Sequence, residues 1–214
     1  MIMNFFQWIY IITTGVDVHM LDIVSFYTEV LHLSDSSLIQ QLTVNSKVFF
    51  VKKGEIIQNI GDLNQKIFFL EDGLLRGFFF DANGREVTDC FGFIPGTPAV
   101  SCLDLDIPTP ICIEALEDSV LVSIPLDVLS HALENNTDAL NLYNRLLRMS
   151  LKLHWECKIM LAQYTATERY SWFLKNFPGL VDRISHKYIA SFLGITPVQL
   201  SRIRRAIREQ QNTN

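Results

Sequence analysis

The spacing of apolar residues changes twice along the chain and predicts a helical start, a β-rich middle and a helical end. From Met20 to Leu42 apolar residues recur at helical intervals, with Ser34 as a candidate cap of a second short helix. After Lys47 the apolar runs become short and are separated by glycine turns. From Asp127 onward the spacing is helical again.

The β-rich middle predicts about eight short strands with turns every 8 to 12 residues or so, a pattern typical of a small sandwich or roll. The candidate strands include Val48–Val51, Ile56–Gln58, Ile67–Leu70, Leu75–Phe80, Val87–Phe93, Ile111–Ala115 and Val120–Ile124. Asp81-Ala82-Asn83-Gly84 predicts a tight hairpin, because Asn-Gly accepts the positive φ angles of primed turns.

Asp138–Tyr164 contains neither Pro nor Gly and predicts one helix of about 27 residues, roughly 40 Å long. Two heptad rows run along it: Leu140, Leu147, His154 and Leu161 in one, and Leu146, Leu153 and Met160 in the other. Two rows indicate two partners, the β domain and a second subunit, although a single buried helix is also compatible with them. Thr165 or Thr167 begins the next helix, which ends near Phe177-Pro178-Gly179.

The segment Ser185–Ile207 has the spacing of a helix-turn-helix. Gly194 stands where a helix stop needs a residue tolerant of positive φ. Thr196 is a good N-cap, and Pro197 suits the first turn of a second helix. The apolar residues that recur at helical spacing around this turn are Ile189, Ala190, Leu193, Leu200, Ile203 and Ile207.

The second helix of this segment directs polar side chains away from its apolar face. They are Gln199, Ser201, Arg202 and Arg205. Such a face suits contact with bases and phosphates in the DNA major groove. An ordinary αα-hairpin with a solvated basic face is the alternative, and the small residues at the tight turn favour DNA binding over it.

Charge is divided unevenly along the chain, which carries a net charge of −5. Residues 164–214 hold eight Lys or Arg and three Asp or Glu, a net +5, so the rest of the chain carries −10. An acidic module joined to a basic one that faces a polyanion explains this asymmetry.

Other features point to a soluble cytoplasmic protein without catalytic machinery. The four cysteines (Cys90, Cys102, Cys112 and Cys157) form no CxxC pair and are expected to be free thiols in a reducing compartment. Residues 1–20 form an extension that is a poor signal peptide, and its longest uncharged run, Met1–Val16, is shorter than the roughly 20 residues that a membrane helix needs. The sequence contains no GxSxG, Walker, HExxH or HxH motif, so we expect no enzyme, no cofactor and no metal site.

This order of elements, together with six short motifs, resembles the Crp/Fnr family of bacterial transcription regulators. The motifs are Val51-Lys52-Lys53-Gly54-Glu55, Phe68–Arg76, Asp81–Glu86, Ile113–Glu117, Glu168-Arg169-Tyr170 and Tyr188–Arg204. The resemblance runs from about Leu21 to Arg208, and its last motif is the most specific.

The resemblance implies an α+β fold with a cyclic-nucleotide-binding-like β-roll (a jelly roll), a long dimerisation helix and a C-terminal helix-turn-helix. The corresponding division is an extension (1–20), a sensor domain (21–137), the helix (138–164) and a DNA-binding domain (165–214). The implied partners are double-stranded DNA with a palindromic operator, a second copy of the chain, RNA polymerase and an unidentified small-molecule effector.

The family pattern also assigns roles to residues of the helix-turn-helix. It implies that Thr196, Gln199, Ser201 and Arg202 face DNA, and Arg202 matches an arginine that commonly reads guanine. Pro197 and Val198 stand where other members carry polar readers, so direct readout should be thinner there. His186 and Lys187 are candidate contacts to the DNA backbone.

The ligand site departs from the family pattern. Members that bind cyclic AMP carry Phe-Gly-Glu followed by an Arg, whereas this chain has Phe91-Gly92-Phe93 and no Arg or Lys from Glu86 to Asn144. A buried phosphate without a countercharge is costly, so we expect no response to cyclic AMP. The pocket is either vestigial or takes an apolar or neutral ligand, lined by Phe91, Gly92, Phe93 and Leu103.

Other sensor chemistries have less support. An iron–sulfur sensor is not expected, because no Cys precedes Cys90. His19, His32 and His154 leave a haem sensor open, although lone histidines are usually structural. The function that the sequence predicts is therefore a homodimeric, sequence-specific DNA-binding regulator. The alternative is a ligand-binding or protein-interaction module whose helix-turn-helix no longer reads DNA.

Overall fold

The structure is a computed structural model that describes residues 22–100 and 107–211. The predicted extension 1–20, Leu103, Cys102 and His19 lie outside the described residues. The described chain begins with α1 (Ile23–Ser25), a π-helical turn (Phe26–Val30) and α2 (Ser36–Asn45).

The predicted cap of the second short helix is wrong by one residue. The carboxylate of Asp35, and not the hydroxyl of Ser34, accepts the backbone N–H of Leu38 at 2.8 Å and begins α2. Ser34 instead donates both its backbone N–H and its hydroxyl to Asp138. The side chain of Ser34 therefore ties the N-terminal helices to a later part of the chain.

Seven strands form two antiparallel sheets, so the predicted sandwich or roll is confirmed, with seven strands in the described residues rather than eight. The strands are β1 (Lys47–Val51), β2 (Ile56–Gln58), β3 (Lys66–Asp72), β4 (Leu75–Phe80), β5 (Glu86–Gly92), β6 (Cys112–Ala115) and β7 (Ser119–Pro125). The sheet orders are β1-β7-β3 and β2-β6-β4-β5, which leaves β5 at the edge of the second sheet.

Two turns show why the strands end where they do. Gly73 has φ +112°, and a Cβ there would lie 2.2 Å from the hydroxyl oxygen of Ser119, so only glycine fits between β3 and β4. At the predicted hairpin, the Asp81 carboxylate accepts the N–H groups of Asn83 and Arg85 at 2.8 and 2.9 Å. These contacts join β4 to β5 and confirm the predicted hairpin. The expected primed turn is wrong, because Gly84 has a positive φ of +74° but Asn83 does not.

Helices make up the rest of the chain. They are α3 (Leu126–Asn135), α4 (Thr137–Gln163), α5 (Ala166–Asn176), α6 (Leu180–Arg183), α7 (His186–Phe192) and α8 (Pro197–Gln211). The long helix α4 has 27 residues and begins one residue before the predicted start. Of the two predicted caps of α5, Thr165 is the one used, in a capping box with Glu168.

The two heptad rows of α4 differ in their surroundings. Leu146 packs on a core cluster that includes Phe26 and Phe69, and Leu153 and Met160 belong to a second cluster with the C-terminal helices. The other row, which consists of Leu140, Leu147, His154 and Leu161, is exposed. One row therefore attaches α4 to the β-roll and the helix-turn-helix, and the other faces outward.

Candidate nucleic-acid interface

Helices α7 and α8 form a helix-turn-helix with a buried centre. Ile189, Ala190, Leu193 and Leu200 are fully buried between them. Gly194 has φ +62°, as the sequence predicts for the stop of the first helix. The N–H of Ile195 then donates to the carbonyl of Ala190 at 3.0 Å, which closes the turn.

Arg169 fixes this turn to the long helix, a role that the sequence analysis missed. Its guanidinium donates to the carbonyls of Leu193 at 3.0 Å, Leu161 at 2.8 Å and Tyr164 at 3.0 Å. A Cβ on Gly194 would lie 3.3 Å from the Arg169 Nη1. The motif Glu168-Arg169-Tyr170 is visible in the sequence. Two of the partners of Arg169 are distant, however: Leu161 lies 8 residues before it and Leu193 lies 24 residues after it, so the local pattern does not show these contacts.

Helix α8 begins with a reciprocal cap. The hydroxyl of Thr196 accepts the backbone N–H of Gln199 at 3.1 Å, and the Gln199 side-chain oxygen accepts the N–H of Thr196 at 2.8 Å. The predicted role of Thr196 as a helix cap is confirmed. Because this cap uses the oxygen of the Gln199 amide, the amide NH2 group is the part of that side chain left to meet a ligand.

All seven residues predicted to contact DNA are exposed: Thr196, Gln199, Ser201, Arg202, Arg205, His186 and Lys187. Helical spacing puts Ser201, Arg202 and Arg205 on one face of α8 together with Val198, which is 61% exposed. Ile203 and Ile207 lie on the opposite side and pack on the cluster below. The face is thus polar and cationic, with one apolar contact point.

Further cations lie beside this face. Burial, followed by the nearby Arg204 and Arg208, holds the pKa of His186 below its ordinary value. The same two arginines lower the pKa of Tyr170, although burial outweighs them and leaves that pKa raised. His186, from the start of α7, therefore lies in the positive field of α8.

Two aromatic residues that the sequence places in a ligand pocket, Phe91 and Phe93, contact rings of the C-terminal helices. Phe91 is buried, and its ring centroid lies 6.3, 6.3 and 5.5 Å from those of Phe173, Phe177 and Phe192. Phe93 lies 5.9 Å from Phe177. Both rings therefore belong to an aromatic cluster shared with the C-terminal helices, where they are removed from water.

Gly92 lies beside Thr97, so a side chain there would approach the Thr97 methyl group to 3.2 Å. An apolar cavity of about 40 Å³ lies at a different place, bordered by Leu38, Leu129 and Leu142.

The cysteines Cys90, Cys112 and Cys157 are free thiols, and burial raises the pKa of Cys157 to about 11.

The described residues, 22–100 and 107–211, offer neither a metal site nor a membrane-spanning helix. In that part of the chain no group of three or more His, Cys, Asp and Glu side chains could hold a metal ion. None of the helices described is both long and apolar enough to cross a membrane.

Comparison with characterised proteins finds regulators of transcription. No family model matches the chain. The regulatory protein HlyX of Actinobacillus pleuropneumoniae is 24% identical over 182 residues, which cover 80% of this chain and 75% of HlyX. The transcriptional activator protein Anr of Pseudomonas aeruginosa is 27% identical over 175 residues, covering 76% of this chain and 70% of Anr.

Solved structures share the fold. FixK2 from Bradyrhizobium japonicum superimposes with a TM-score of 0.70 at 18% identity, over 78% of this chain and 86% of FixK2. A Crp/Fnr-family transcriptional regulator from Eubacterium rectale gives 0.67 at 22% identity, over 83% and 85% of the two chains. With the β-roll, the long helix and the helix-turn-helix in this order, the chain has the fold of Crp/Fnr-type transcription regulators and is similar in sequence to HlyX and Anr.

Proposed function

We propose that this chain regulates transcription in the bacterial cytoplasm as a homodimer that binds a palindromic DNA operator. In this proposal residues 21–137 form the sensor domain, 138–164 the dimerisation helix and 165–214 the DNA-binding domain. RNA polymerase and a small-molecule effector are the further partners that the family suggests.

The observation that carries the proposal is the polar face of α8. Ser201, Arg202 and Arg205 are exposed together on a helix whose other side is anchored by the fully buried Leu200. A rigid helix that offers guanidinium groups and short polar side chains suits the donor and acceptor pattern of the major groove. Arg202 would pair with O6 and N7 of a guanine.

The dimer is supported by the outward row of α4. Leu147 and Leu151 are 41% and 57% exposed, and Leu140, Trp155 and Leu161 extend the same apolar strip. A helix-turn-helix reads both halves of a palindrome only when two copies lie about one DNA turn, roughly 34 Å, apart. A second α4 packed along this strip would bury it and relate the two helix-turn-helix units by a two-fold axis.

The proposal excludes cyclic AMP as the effector. The segment that would hold its phosphate has no Arg or Lys between Glu86 and Asn144. Phe93, which replaces the family's ribose-binding Glu, packs beside Phe177. A buried cyclic phosphate would therefore lack a countercharge and a partner for its ribose.

Selection of bound duplexes from a random pool tests the function, with Arg202→Ala beside the wild type. We expect a palindrome, bound by Arg202→Ala more weakly by about 1–3 kcal/mol and with relaxed preference at one base of each half-site. The matched control is Arg85→Ala, which removes the same charge from the β4–β5 hairpin and should leave the selected site unchanged.

The selection is repeated at low salt, where phosphate contacts are strongest and even weak DNA binding should be detected. Failure to enrich any sequence there would contradict the proposal and favour the alternative, a ligand-binding or protein-interaction module with a helix-turn-helix that no longer reads DNA.

A further inference from the structure

Arg76 on β4 is a buried cation between the β-roll and the helix-turn-helix. Its side chain is 1% exposed. Nη1 lies 2.6 Å from a Glu114 carboxylate oxygen and 2.8 Å from one of Glu86, and Nε donates to the hydroxyl of Thr88 at 2.9 Å. These partners on β5 and β6 fix the plane of the guanidinium.

The faces of this guanidinium are covered by two aromatic rings. The ring centroid of Phe78, on the same strand, lies 4.4 Å from the Arg76 Cζ, and that of Tyr188 lies 4.0 Å away. Tyr188 belongs to α7, the first helix of the helix-turn-helix. A cation held by fixed hydrogen bonds thus stacks on a ring of the DNA-binding unit.

Ser191, one turn further along α7, makes a second contact with the same sheet. Its hydroxyl accepts the backbone N–H of Thr88 at 2.9 Å and donates to the carbonyl of Glu86 at 3.3 Å. Because β5 is the edge strand of its sheet, these two backbone groups have no neighbouring strand on that side. The Ser191 hydroxyl therefore supplies the hydrogen bonds that a neighbouring strand would otherwise make with these two groups.

We propose that Arg76, through Tyr188 and together with Ser191, is a positioning residue that sets the orientation of α8 relative to the β-roll before DNA binds. The proposal rests on the function proposed above. The contacts fix α7 at two points, and α7 and α8 share the buried residues Ile189 and Leu200, so α8 follows α7. In this arrangement the residues predicted to contact DNA remain exposed.

The consequence is thermodynamic. A dimer binds a palindrome only when both recognition helices have the correct orientation, and its apparent affinity falls by the fraction of molecules that have it. Contacts that fix the orientation in the free protein raise that fraction. A single half-site needs only one helix-turn-helix, so its affinity should not depend on these contacts.

The test uses variants on the helix side, because removing Arg76 would leave the half-buried carboxylate of Glu114 without its cation. Tyr188→Leu removes the stacked ring, Ser191→Ala removes both hydrogen bonds, and Tyr188→Phe keeps the ring as the matched control. In the full-length protein we would measure amide hydrogen exchange at Thr88, thermal stability, and affinity for the selected palindrome and for one half-site. The Nζ of Lys187, a candidate phosphate contact, lies 4.7 Å from the Tyr188 ring centroid, so a substitution of Tyr188 could also alter this DNA contact. The half-site affinity measures that effect separately, because it needs only one helix-turn-helix.

We expect the double variant Tyr188→Leu, Ser191→Ala to exchange the Thr88 amide faster and to bind the palindrome about tenfold more weakly, with half-site affinity unchanged. Tyr188→Phe should behave as the wild type. An unchanged palindrome affinity despite faster Thr88 exchange would overturn the proposal, and so would a rise in affinity, which would mean that the docked arrangement opposes DNA binding. Exchange at Thr88 is measured without DNA, so it tests the docking contact even if no sequence is selected.

Discussion

Thr196 and Gln199 cap each other at the start of α8, each accepting the backbone N–H of the other. The pairing makes one side chain serve two purposes. Gln199 completes the helix cap with its oxygen, which leaves its NH2 group as the part of the amide proposed to meet DNA. It can therefore donate a hydrogen bond to a base acceptor, but it cannot make the two-point contact with adenine that an unengaged glutamine makes.

The first prediction separates the role of Gln199 in the helix cap from its proposed role in DNA binding. Gln199→Glu keeps an acceptor at the cap and places a negative charge near the positive helix N-terminus, so the free energy of unfolding should stay the same or rise slightly. The same charge on the DNA-facing side should weaken operator binding. Thermal unfolding and operator titration, performed on one preparation, measure both.

Thr196→Ala is the complementary variant. It removes the N-cap and should lower the free energy of unfolding by about 1 kcal/mol. A Gln199→Glu protein that loses as much stability as Thr196→Ala would contradict the expectation that a carboxylate at this position preserves the cap.

The second prediction concerns the dimer. Leu147→Glu puts a charge into the apolar strip of α4 that we expect the partner to cover, and should raise the dimer dissociation constant at least about tenfold, or about 1.4 kcal/mol. Met149→Glu is the matched control, because Met149 is 60% exposed and helical spacing turns it away from Leu147. Sedimentation of both variants distinguishes the faces, and loss of the dimer only in Met149→Glu would place the interface on the other side.

The third prediction concerns pH. His186 has a pKa below its ordinary value in the free protein, because of burial and of Arg204 and Arg208. A bound phosphate would raise that pKa, so DNA binding takes up a proton and affinity increases as the pH falls from the pKa of the complex toward that of the free protein. For a rise of about one pKa unit the gain is at most about tenfold per subunit.

Operator titrations between pH 8 and 5.5 check this dependence. His186→Gln should flatten the curve, whereas His131→Gln, which removes an exposed histidine of α3, should leave it unchanged. A pH dependence that survives in His186→Gln would assign the proton uptake to another group.

The fourth prediction concerns Asp138, which accepts the backbone N–H groups of Ser34 and Asp35 at 2.6 and 3.0 Å. These hydrogen bonds hold its pKa below the ordinary value. Its stabilisation is therefore fully present above the ordinary Asp pKa and is lost as the pH falls through the lowered one. Asp138→Asn should cost about 1 kcal/mol at pH 7, since solvent screens a partly exposed contact, and should lose less further stability in acid than the wild type.

Denaturant unfolding at pH 7 and pH 3 measures the effect. The control is Asp127→Asn, which removes a carboxylate from the first turn of α3 whose hydrogen bond goes to Val128 of its own helix. Equal acid sensitivity of Asp138→Asn and the wild type would contradict the assigned role.

Features with a local physical cause could be predicted from the sequence. Gly84 and Gly194 mark the hairpin and the helix-turn-helix because both adopt positive φ angles, and Thr196 marks the start of α8 because its hydroxyl caps the helix. The heptad spacing also separated the inward row of α4, with Met160, from the outward row, with Leu147.

Features that depend on distant partners could not be predicted. Phe91 contacts rings of residues that lie 82 to 101 positions later in the chain, and no local pattern encodes that contact. Arg76 reads as an ordinary strand residue until Glu114 and Tyr188 are placed beside it. At α2 the choice between Ser34 and Asp35 was decided by Asp138, more than 100 residues away.

The aromatic cluster around Phe91 has a consequence for how the chain unfolds. Leu74, Phe91, Leu116 and Met160 lie in the same buried cluster as the C-terminal helices, so residues 165–214 complete their core with side chains from outside that segment. A segment of about 50 residues is close to the size at which a domain folds only marginally alone. The β-roll and the helix-turn-helix should therefore unfold in one cooperative transition, and binding to either one stabilises both.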